Sequence, residues 1–494
     1  MIPLTGFAPD LDPATPGVIS DCSNLIPTPR GFAGEHTPVV TSNALASTCY
    51  GMATLLRQDG NLREIAGTST RLYELSGVTW TDVSKAGGYS AVNGRWRFTQ
   101  FGNVSIATNG ADSIQGSTSS SVAFAPLAKG LVNAPSAQIV ETVAGFVMAF
   151  NTNDAPGSPI YGYSPDRWWC SALYDQTDWT PSVTTQCATG RFIDAPGPIT
   201  AAKRLGDNMV VYKDRSMFIG TYQGPPIIWG WQQVSSEVGA VSPDSIVNIG
   251  TAHIFFGADH FWMFDGSRPV DIGTPIREWF LANSSSTGRS LMQASYDRKS
   301  NLVRFYYTSS GGTLGTLDRC LVYHVPTNRW GRADMTIEAV SECIIPGVTF
   351  DQFGTFNGGS WTWDTLPNIS YDSDTFASQF GIQGVVDTSH RLNSMTGTPL
   401  RSTILTGAYG DDDIYSSLKR VRCRFTIQPA SASIITSCAA DSATPYSTTT
   451  HTASLNGSKF DILQQGKWHR AQFTFNGPFE ISAVEFQLQR RGMR

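Results

Sequence analysis

The chain has 494 residues, of which 40% are hydrophobic and only 15% are charged, and this low charge fraction argues against a helix-rich fold, whose exposed faces depend on charged side chains. The net charge of −5 argues against a protein that grips nucleic acid electrostatically. No apolar run approaches the roughly 18 residues of a membrane span, and the first residues lack the pattern of a secretory signal.

The first 45 residues are rich in proline and polar residues and show little strand pattern. We interpret residues 1–45 as an extended N-terminal arm that docks on another surface rather than folding by itself. Its most distinctive phrase is DCSNLIPTPRGF, in which Asn24, Pro27 and Arg30 are candidate interaction residues. Because the core of the predicted β-rich body should not depend on a proline-rich arm, we expect deletion of residues 1–30 to leave that body, the propeller described below, folded.

Short runs of β-branched and aromatic residues come next, each bounded by Gly, Asn, Asp or Ser. They are about 4–6 residues long and recur roughly every 8–15 residues, which is typical of antiparallel all-β proteins. Helical periodicity is nearly absent, and Thr274–Ala282 is the clear helix candidate because Pro275 lies near its start. Clear examples of predicted strands are Asn208–Tyr212, Ser216–Gly220, His253–Phe256, Phe261–Phe264, Leu302–Tyr307 and Cys320–His324.

The runs form repeating units. Landmark strands centred on Phe218, Met263 and Val322 are separated by 45 and 59 residues, and a four-stranded propeller blade takes about 40–50 residues. We therefore predict an irregular six- or seven-bladed β-propeller over residues 46–385, because a closed ring of sheets buries both faces of each sheet. A string of β-sandwich domains with similar turn spacing is the alternative.

The residues that carry chemistry form no recognised catalytic or metal-binding motif. Eight cysteines are scattered without a Cys-x-x-Cys pair, which indicates buried thiols, and Cys423 and Cys438 are the best candidates for a disulfide. His253 and His260 flank a turn, for which a structural role is favoured. The run Asp411–Asp413 is interpreted as a solvated turn rather than a calcium site. We predict no enzyme activity, no metal and no cofactor.

The pattern changes after about residue 386, and we predict a C-terminal β-sandwich-like module over residues 386–494. Trp468–Phe475 and Phe479–Leu488 suggest a hairpin around Asn476–Gly477. The stretch KRVRCRFTI alternates basic and apolar residues, which is typical of a strand with one wet, positive face.

Charge is divided unevenly between these parts. Residues 386–494 carry 12 Lys and Arg against 8 Asp and Glu, whereas residues 1–385 carry 23 against 32. An acidic body therefore carries a basic module. Arg420, Arg422 and Arg424 should project together because residues i, i+2 and i+4 share one side of a strand.

Several phrases resemble one family. In the arm, Asn24, Pro27 and Gly31–Phe32 follow the spacing Asn-x-x-Pro-x-x-x-Gly-Phe. Further phrases are Ser242–Pro243, Asp265–Gly266, Arg277–Phe280 and the closing ISAVEFQLQRRGMR. The chain thereby resembles the tail hub, or nozzle, proteins of short-tailed bacteriophages, also called packaged-DNA stabilisation proteins, although GEHTPV stands where these proteins have a basic phrase.

The resemblance implies a structural virion protein, made in the host cytoplasm. Such subunits form a hexameric ring below the portal and the head-to-tail adaptor ring, extend the DNA channel, and carry tail fibre or needle and plug proteins. Packaged double-stranded DNA is retained and then passes without specific binding, and this chain provides no membrane anchor. The interaction candidates are Asn24, Pro27, Arg30, Arg420, Arg422, Arg424, Arg490, Arg491 and Arg494.

Two other functions stay open. One is a carbohydrate-binding propeller or receptor-binding adhesin, since 13 Trp and 16 Tyr offer stacking surfaces. The other, less favoured, is a glycosidase, which needs two carboxylates placed across a sugar, and no such pair stands out in the sequence.

Overall fold

The computed structural model describes residues 1–130, 132–154, 160–345, 379–441, 445–447 and 450–493. Six separate four-stranded antiparallel sheets stand in a ring, and the first four strands of a ten-stranded sheet occupy a further position in it. The predicted all-β fold is confirmed: a propeller of six or seven blades with a C-terminal β-rich module. Within the described residues, no helix has the length and apolarity needed to cross a lipid bilayer.

Blades are numbered along the chain, and each begins with the strand that lies nearest the ring's centre. Blade 1 contains Gly51–Leu56, Leu62–Gly67, Leu72–Ser76 and Thr79–Asp82. Blade 2 contains Arg97–Phe101, Val104–Thr108, Gln115–Ser117 and Ala125–Pro126, and is followed by a small pair, Ala128–Lys129 and Val132–Asn133. Blade 3 contains Ser136–Val143, Phe146–Asn153, Tyr163–Cys170 and Ala188–Arg191. Blade 4 contains Ala201–Leu205, Asn208–Tyr212, Met217–Gly224 and Ile228–Ser235.

The ring continues through three more blades. Blade 5 contains Ile246–Asn248, His253–Phe256, Phe261–Phe264 and Pro269–Asp271. Blade 6, which starts the ten-stranded sheet, contains Gln293–Asp297, Leu302–Tyr307, Leu317–His324 and Arg329–Ile337. Blade 7 contains Ala339–Ile345, Gln379–Val386, Arg391–Gly397 and, as its outermost strand, Thr37–Ala44.

Blade 7 closes the ring with strands from both ends of the chain. Thr37–Ala44 pairs antiparallel with Arg391–Gly397, and the innermost strand of blade 7 packs against those of blades 6 and 1. The boundaries predicted at residues 45 and 385 are therefore wrong, since both cut through this sheet. The physical reason is that the ring must close. Blade 7 has three strands from the end of the propeller segment, and its fourth, outermost strand comes from the start of the chain.

The C-terminal module consists of two sheets that bury one face each. The first continues from blade 6 in the order Leu25–Pro27, Phe32–Gly34, Glu480–Met493, Ile414–Ile427 and Lys459–Gly466, with Ile2–Pro3 paired to Glu480–Met493. The second runs Gly6–Phe7, Val18–Ser23, Arg401–Thr406, Trp468–Asn476, Ser431–Ala439 and His451–Ser454, with Tyr409–Gly410 paired to Trp468–Asn476. Apolar side chains from both sheets form one core cluster, which is the sandwich arrangement that the sequence predicts.

The hairpin predicted around Asn476–Gly477 does not form. Trp468–Asn476 belongs to the second sheet, whereas Glu480–Met493 belongs to the first. Both strands have an alternating apolar face, with Phe473 and Ile481 fully buried. Because these faces pack against the same core, the turn carries the chain from one sheet to the other instead of pairing its flanks.

The N-terminal arm is extended, but it docks on its own chain. Its strands join both sheets of the C-terminal module, and Leu25–Pro27 also pairs with the outer strand of blade 6. Leu4, Phe7, Ile19 and Phe32 are at most 1% exposed within the common core. The expectation that the propeller's core does not depend on the arm is therefore wrong, because these side chains share one core cluster with residues of blades 5 and 6.

The single α-helix among the described residues is Arg277–Asn283, close to the predicted position. Its first backbone N–H groups are capped by the arm, since the Asp10 carboxylate accepts bonds from Glu278 N at 2.6 Å and Trp279 N at 2.9 Å. The buried Phe280 anchors the helix in the core. Three short 3₁₀ turns are Pro243–Ser245, Gly288–Leu291 and Val325–Thr327.

Candidate functional site

Three predicted interaction residues lie together on the C-terminal module. Arg420, Arg422 and Arg424 point outwards from the long strand Ile414–Ile427, while the alternate residues Val421 and Cys423 are buried. We call these three side chains the arginine face. The predicted shared side is confirmed, and its cause is the period-two alternation of a strand with one buried face.

The arginines of this face have different partners. Arg420 Nε forms an ion pair with Asp461 Oδ1 at 2.5 Å. Arg422 lies opposite Glu485 and Lys459 in the strand register. Within the described part of the chain, Arg422 and Arg424 make no side-chain hydrogen bond or ion pair, so two guanidinium groups remain available to a partner.

The other basic candidates lie at the end of the chain. Arg490 and Arg491 are exposed near the end of the strand Glu480–Met493. Arg494 lies outside the described residues. The role of these residues as contacts stays a prediction.

Asn24 is used inside the chain. Its backbone adopts the left-handed conformation with φ of 52°, and its side chain joins two parts of the fold. Asn24 Oδ1 accepts a bond from Asp334 N of blade 6 at 3.0 Å, and Nδ2 donates to Arg401 O of the module at 3.2 Å. Ser402 Oγ donates to Asn24 O at 2.7 Å. Asn24 therefore holds blade 6 and the C-terminal module together.

The residues that follow have similar structural roles. Pro27 is buried, and Phe32 is fully buried in the core. Gly31 packs so closely that a Cβ atom would collide with the carbonyl oxygen of Ile481. Arg30 is exposed at the tip of the turn between the two short strands. Of the three candidates in the arm, Arg30 is thus the one that the fold leaves accessible.

The same junction borders a mostly apolar cavity of about 620 Å³. It is formed by the arm, the outer parts of blades 6 and 7, and the module. Its lining includes Pro27, Pro29, Pro399, Ile427 and Phe479.

A second cavity lies on the axis of the ring, and we call it the central tunnel. It encloses about 220 Å³ and takes lining residues from all seven blades. Arg97 on blade 2 reaches across to Asp244, just before blade 5, with Nη2–Oδ2 at 2.8 Å and Nε–Oδ1 at 3.3 Å. Arg97 Nη1 also donates to Gln138 O at 2.8 Å. This bidentate pair links the two sides of the tunnel.

The electrostatics of the tunnel favour the charged form of the Asp244 carboxylate. Burial alone would raise the pKa of Asp244, but Arg97 and Arg95 outweigh it and hold the pKa below its usual value. Burial lowers the pKa of Arg95, whose Nη2 donates to Glu338 O at 2.8 Å. A nearby pair joins Lys203 Nζ to Glu141 Oε2 at 3.5 Å. Each carboxylate of the tunnel thus faces a cation.

All eight cysteines are free thiols, and seven of them are buried. The disulfide suggested for Cys423 and Cys438 is absent, because their strands belong to different sheets of the module. Burial raises the pKa of Cys49 to about 11, so that thiol stays protonated at neutral pH.

Three histidines, His253, His324 and His469, are buried and take part in hydrogen bonds, and burial affects the pKa of His253 and His469 most strongly. The ring nitrogens of His253 lie 2.8 Å from Tyr212 Oη and 2.9 Å from Arg204 O. His469 Nε2 lies 2.9 Å from Ser416 Oγ in the module. Burial lowers the pKa of His253 and of His469 to about 4, so both are neutral in the folded protein. A structural role fits this neutrality, as the sequence suggests for His253.

His253 and His469 predict a loss of stability in mild acid. Since the folded pKa is about 4 and the unfolded value about 6.5, the unfolded chain takes up protons first as the pH falls. Each histidine should cost about 3 kcal/mol of unfolding free energy, lost between about pH 6.5 and pH 4 and constant below. Urea unfolding at a series of pH values should show a shallower slope for His469→Gln than for the wild type. The exposed His36→Gln is the control, and an unchanged slope for His469→Gln would contradict the assignment.

The acidic run Asp411–Asp413 forms a turn. Asp413 N donates to Asp411 Oδ1 at 2.8 Å, and Trp468 Nε1 donates to Asp412 Oδ1 at 2.6 Å. Within the described residues, no group of three or more His, Cys, Asp or Glu is placed to hold a metal ion.

Sequence patterns gave no signal for the tunnel pairs. Arg97 and Asp244 are 147 residues apart, and neither belongs to a motif. The predicted propeller was an indirect indication of such pairs, because the inner strands of a ring bring residues that are distant in sequence to one axis.

No model of a known protein family matches the chain, and no curated protein sequence matches it. Among solved structures, the chain overlaps with one titled "Structure of U3-55K" at 9% sequence identity and a TM-score of 0.40, covering 62% of this chain and 89% of that one. It also overlaps with the computationally designed Ika8 protein at 10% identity and a TM-score of 0.36, covering 73% of this chain and 99% of that one. We base no inference on these overlaps.

Proposed function

We propose that the chain is a structural subunit of the tail of a short-tailed bacteriophage, in the nozzle or hub ring below the portal and adaptor. In this role six copies extend the DNA channel, retain packaged DNA and release it at ejection. The subunit acts without catalysis or a cofactor. The sequence phrases in the arm, around blade 5 and in the last strand support this assignment by resemblance.

The arginine face is the observation on which the proposal chiefly rests. Arg422 and Arg424 are exposed and make no side-chain hydrogen bond or ion pair within the described residues, and they lie on a long strand of the C-terminal module. Guanidinium groups favour planar, bidentate contacts with carboxylates, and arginine is enriched at protein interfaces. A face of this kind fits an acidic protein surface.

The acidic body of a neighbouring copy provides such a surface. Residues 37–397, which contain the blades, carry 29 acidic against 23 basic residues, so this acidic body is complementary to the arginine face. When one patch of a subunit meets a different patch of the next, the contact is heterologous, and such contacts close into a ring if the rotation permits. Charge attraction between exposed groups is weak at physiological salt, so the ring should form on the adaptor while the free subunit stays largely monomeric.

The test replaces Arg420, Arg422 and Arg424 together with Ala. The folded chain should change little in stability, since exposed ion pairs contribute about 0–1 kcal/mol. Incorporation into particles should fall at least tenfold, measured by quantitative immunoblotting of purified virions. Replacement of the same three residues with Lys keeps the charge but removes the bidentate geometry, so it should give an intermediate loss.

The control is Arg401→Ala, which removes an exposed positive charge from the second sheet of the same module, away from the arginine face, and should leave incorporation normal. Normal incorporation of the triple Ala variant would contradict the docking role. If the ring assembled normally and only DNA retention or ejection changed, the arginine face would line the channel instead.

A further inference from the structure

One end of the central tunnel opens into a polar cavity of about 650 Å³, which we call the tunnel mouth. It lies where the first hairpins of blades 4, 5 and 6 turn, beside the inner strand of blade 7. Its lining includes Lys203, Arg204, Asp207, Tyr296, Arg298 and Glu342. Ligand sites in proteins commonly have volumes of about 300–1,000 Å³, so the tunnel mouth is large enough for a small ligand.

The tunnel mouth adjoins the central tunnel. Lys203, Ile246 and Ala294 line both cavities. Beyond them, the ion pair between Arg97 and Asp244 links blade 2 to the residues just before blade 5. A ligand that enters the mouth from solvent therefore meets Lys203 first and this ion pair behind it.

Positively and negatively charged side chains line this pocket, and four of them have no hydrogen-bond partner among the described residues. Arg204, Asp207, Arg298 and Glu342 are exposed, and none of them makes a side-chain hydrogen bond or ion pair with another described residue. Lys203 has one carboxylate neighbour, at 3.5 Å, and retains further donors. The rim thus combines two free guanidinium groups with two free carboxylates.

Two further side chains define the wall. Ser295 Oγ is buried and has no hydrogen-bond partner among the described residues, although it lines the pocket. Tyr296 is half-buried, and its hydroxyl donates to Asn301 Oδ1 at 2.9 Å, which fixes the ring. The wall therefore offers an oriented aromatic ring, with the buried Ser295 hydroxyl behind it.

This set of groups selects a class of ligand. Lys203 is paired with Glu141 outside the pocket, and the remaining two arginines and two carboxylates of the lining balance in charge, so these four groups have no net preference for an anion or a cation. A neutral ligand with several hydroxyl groups can donate to Asp207 and Glu342 and accept from Arg204, Arg298 and Lys203, because each hydroxyl is both donor and acceptor. Hydrogen bonds to charged groups are the stronger ones.

We propose that the tunnel mouth is a saccharide-binding site, in which a neutral sugar unit lies against Tyr296 between the two carboxylates and the two arginines. This site is separate from the arginine face and does not depend on a role in the tail. The sugar unit could belong to a cell-surface polysaccharide or be free, and both sources present the same chemistry.

The test uses saturation-transfer NMR and calorimetry on the full chain, with methyl glycosides of glucose, galactose and N-acetylglucosamine as probes, followed by a glycan array. At least one probe should bind the wild type. Asp207→Asn combined with Glu342→Gln should weaken that binding at least tenfold. Both positions are exposed, so the variant should remain folded, and its circular dichroism checks this.

The matched control is Asp214→Asn with Glu237→Gln, which makes the same charge change at exposed positions of blade 4 and its following loop, outside the pocket. Wild-type affinity in this control is expected. Three results would overturn the proposal. Sugar binding could weaken equally in the double variant and in the control, no sugar on the array could bind, or inorganic phosphate could bind in place of the sugars. A polysaccharide on the array that binds far more tightly than the methyl glycosides identifies the cell-surface source.

Discussion

Deletion of residues 1–30 should unfold the C-terminal module and break its junction with blade 6. This segment contributes Leu4, Phe7, Ile19 and Leu25, each at most 1% exposed. Full burial of one such side chain stabilises a protein by about 1.5–3 kcal/mol. Four of them contribute roughly 6–12 kcal/mol, which is comparable to the whole stability of about 5–15 kcal/mol of a typical domain.

Point variants distinguish the loss of buried side chains from the loss of the whole segment. Leu25→Ala removes a fully buried side chain at the junction and should cost about 2–5 kcal/mol. Leu11→Ala in the same segment removes a side chain that is 40% exposed and should cost less than about 0.5 kcal/mol. Differential scanning calorimetry measures both. If the deletion variant melted at the wild-type temperature, the arm would not be part of the core.

Substitution of Glu35 by Gln should be the most damaging single change in the arm. Glu35 and Arg304 form a buried bidentate pair, with side chains 4% and 3% exposed and an Oε1–Nη2 distance of 3.0 Å. Burial alone would lower the pKa of Arg304, but Glu35 outweighs it and raises the pKa above its usual value. Asp297 lies at 3.6 Å from Arg304 and is a weaker second partner.

The Glu35→Gln variant leaves the buried guanidinium largely uncompensated, which costs about 3–5 kcal/mol. Because the loss comes from the stranded charge, the double variant Glu35→Leu with Arg304→Met should be more stable than Glu35→Gln alone. Urea unfolding measures both variants. Asp214→Asn, which disrupts the exposed pair with Arg215, should change stability by less than about 1 kcal/mol. A cost for Glu35→Gln no larger than that of this control would show that the pair does not hold the arm.

Local periodicity predicted much of the fold. Strand length and turn spacing are local properties, so the blade pattern could be read from segments such as Leu302–Tyr307, whose six residues are all buried. The shared side of Arg420, Arg422 and Arg424 followed from the same period-two rule. These features depend on neighbours in the sequence and on no distant contact.

The docking of the arm depends on distant contacts and could not be predicted in this way. Gly6–Phe7 and Leu25–Pro27 are strands of two and three residues, too short to show any period. The contacts that dock them on the rest of the fold lie hundreds of residues away, as the pairing of Leu25 with Arg332 and the bond from Asp334 N to Asn24 Oδ1 illustrate. Ring closure by Thr37–Ala44 is hidden for the same reason, since its exposed residues resemble those of a loop.

Electron microscopy of the particle with which the protein copurifies tests the proposed function most directly. We expect a ring of six copies at one capsid vertex, below the portal and adaptor. The arginine face of each copy should contact its neighbour or the adaptor. Particles whose vertex carries no such ring, or in which the protein forms only a peripheral fibre, would contradict it.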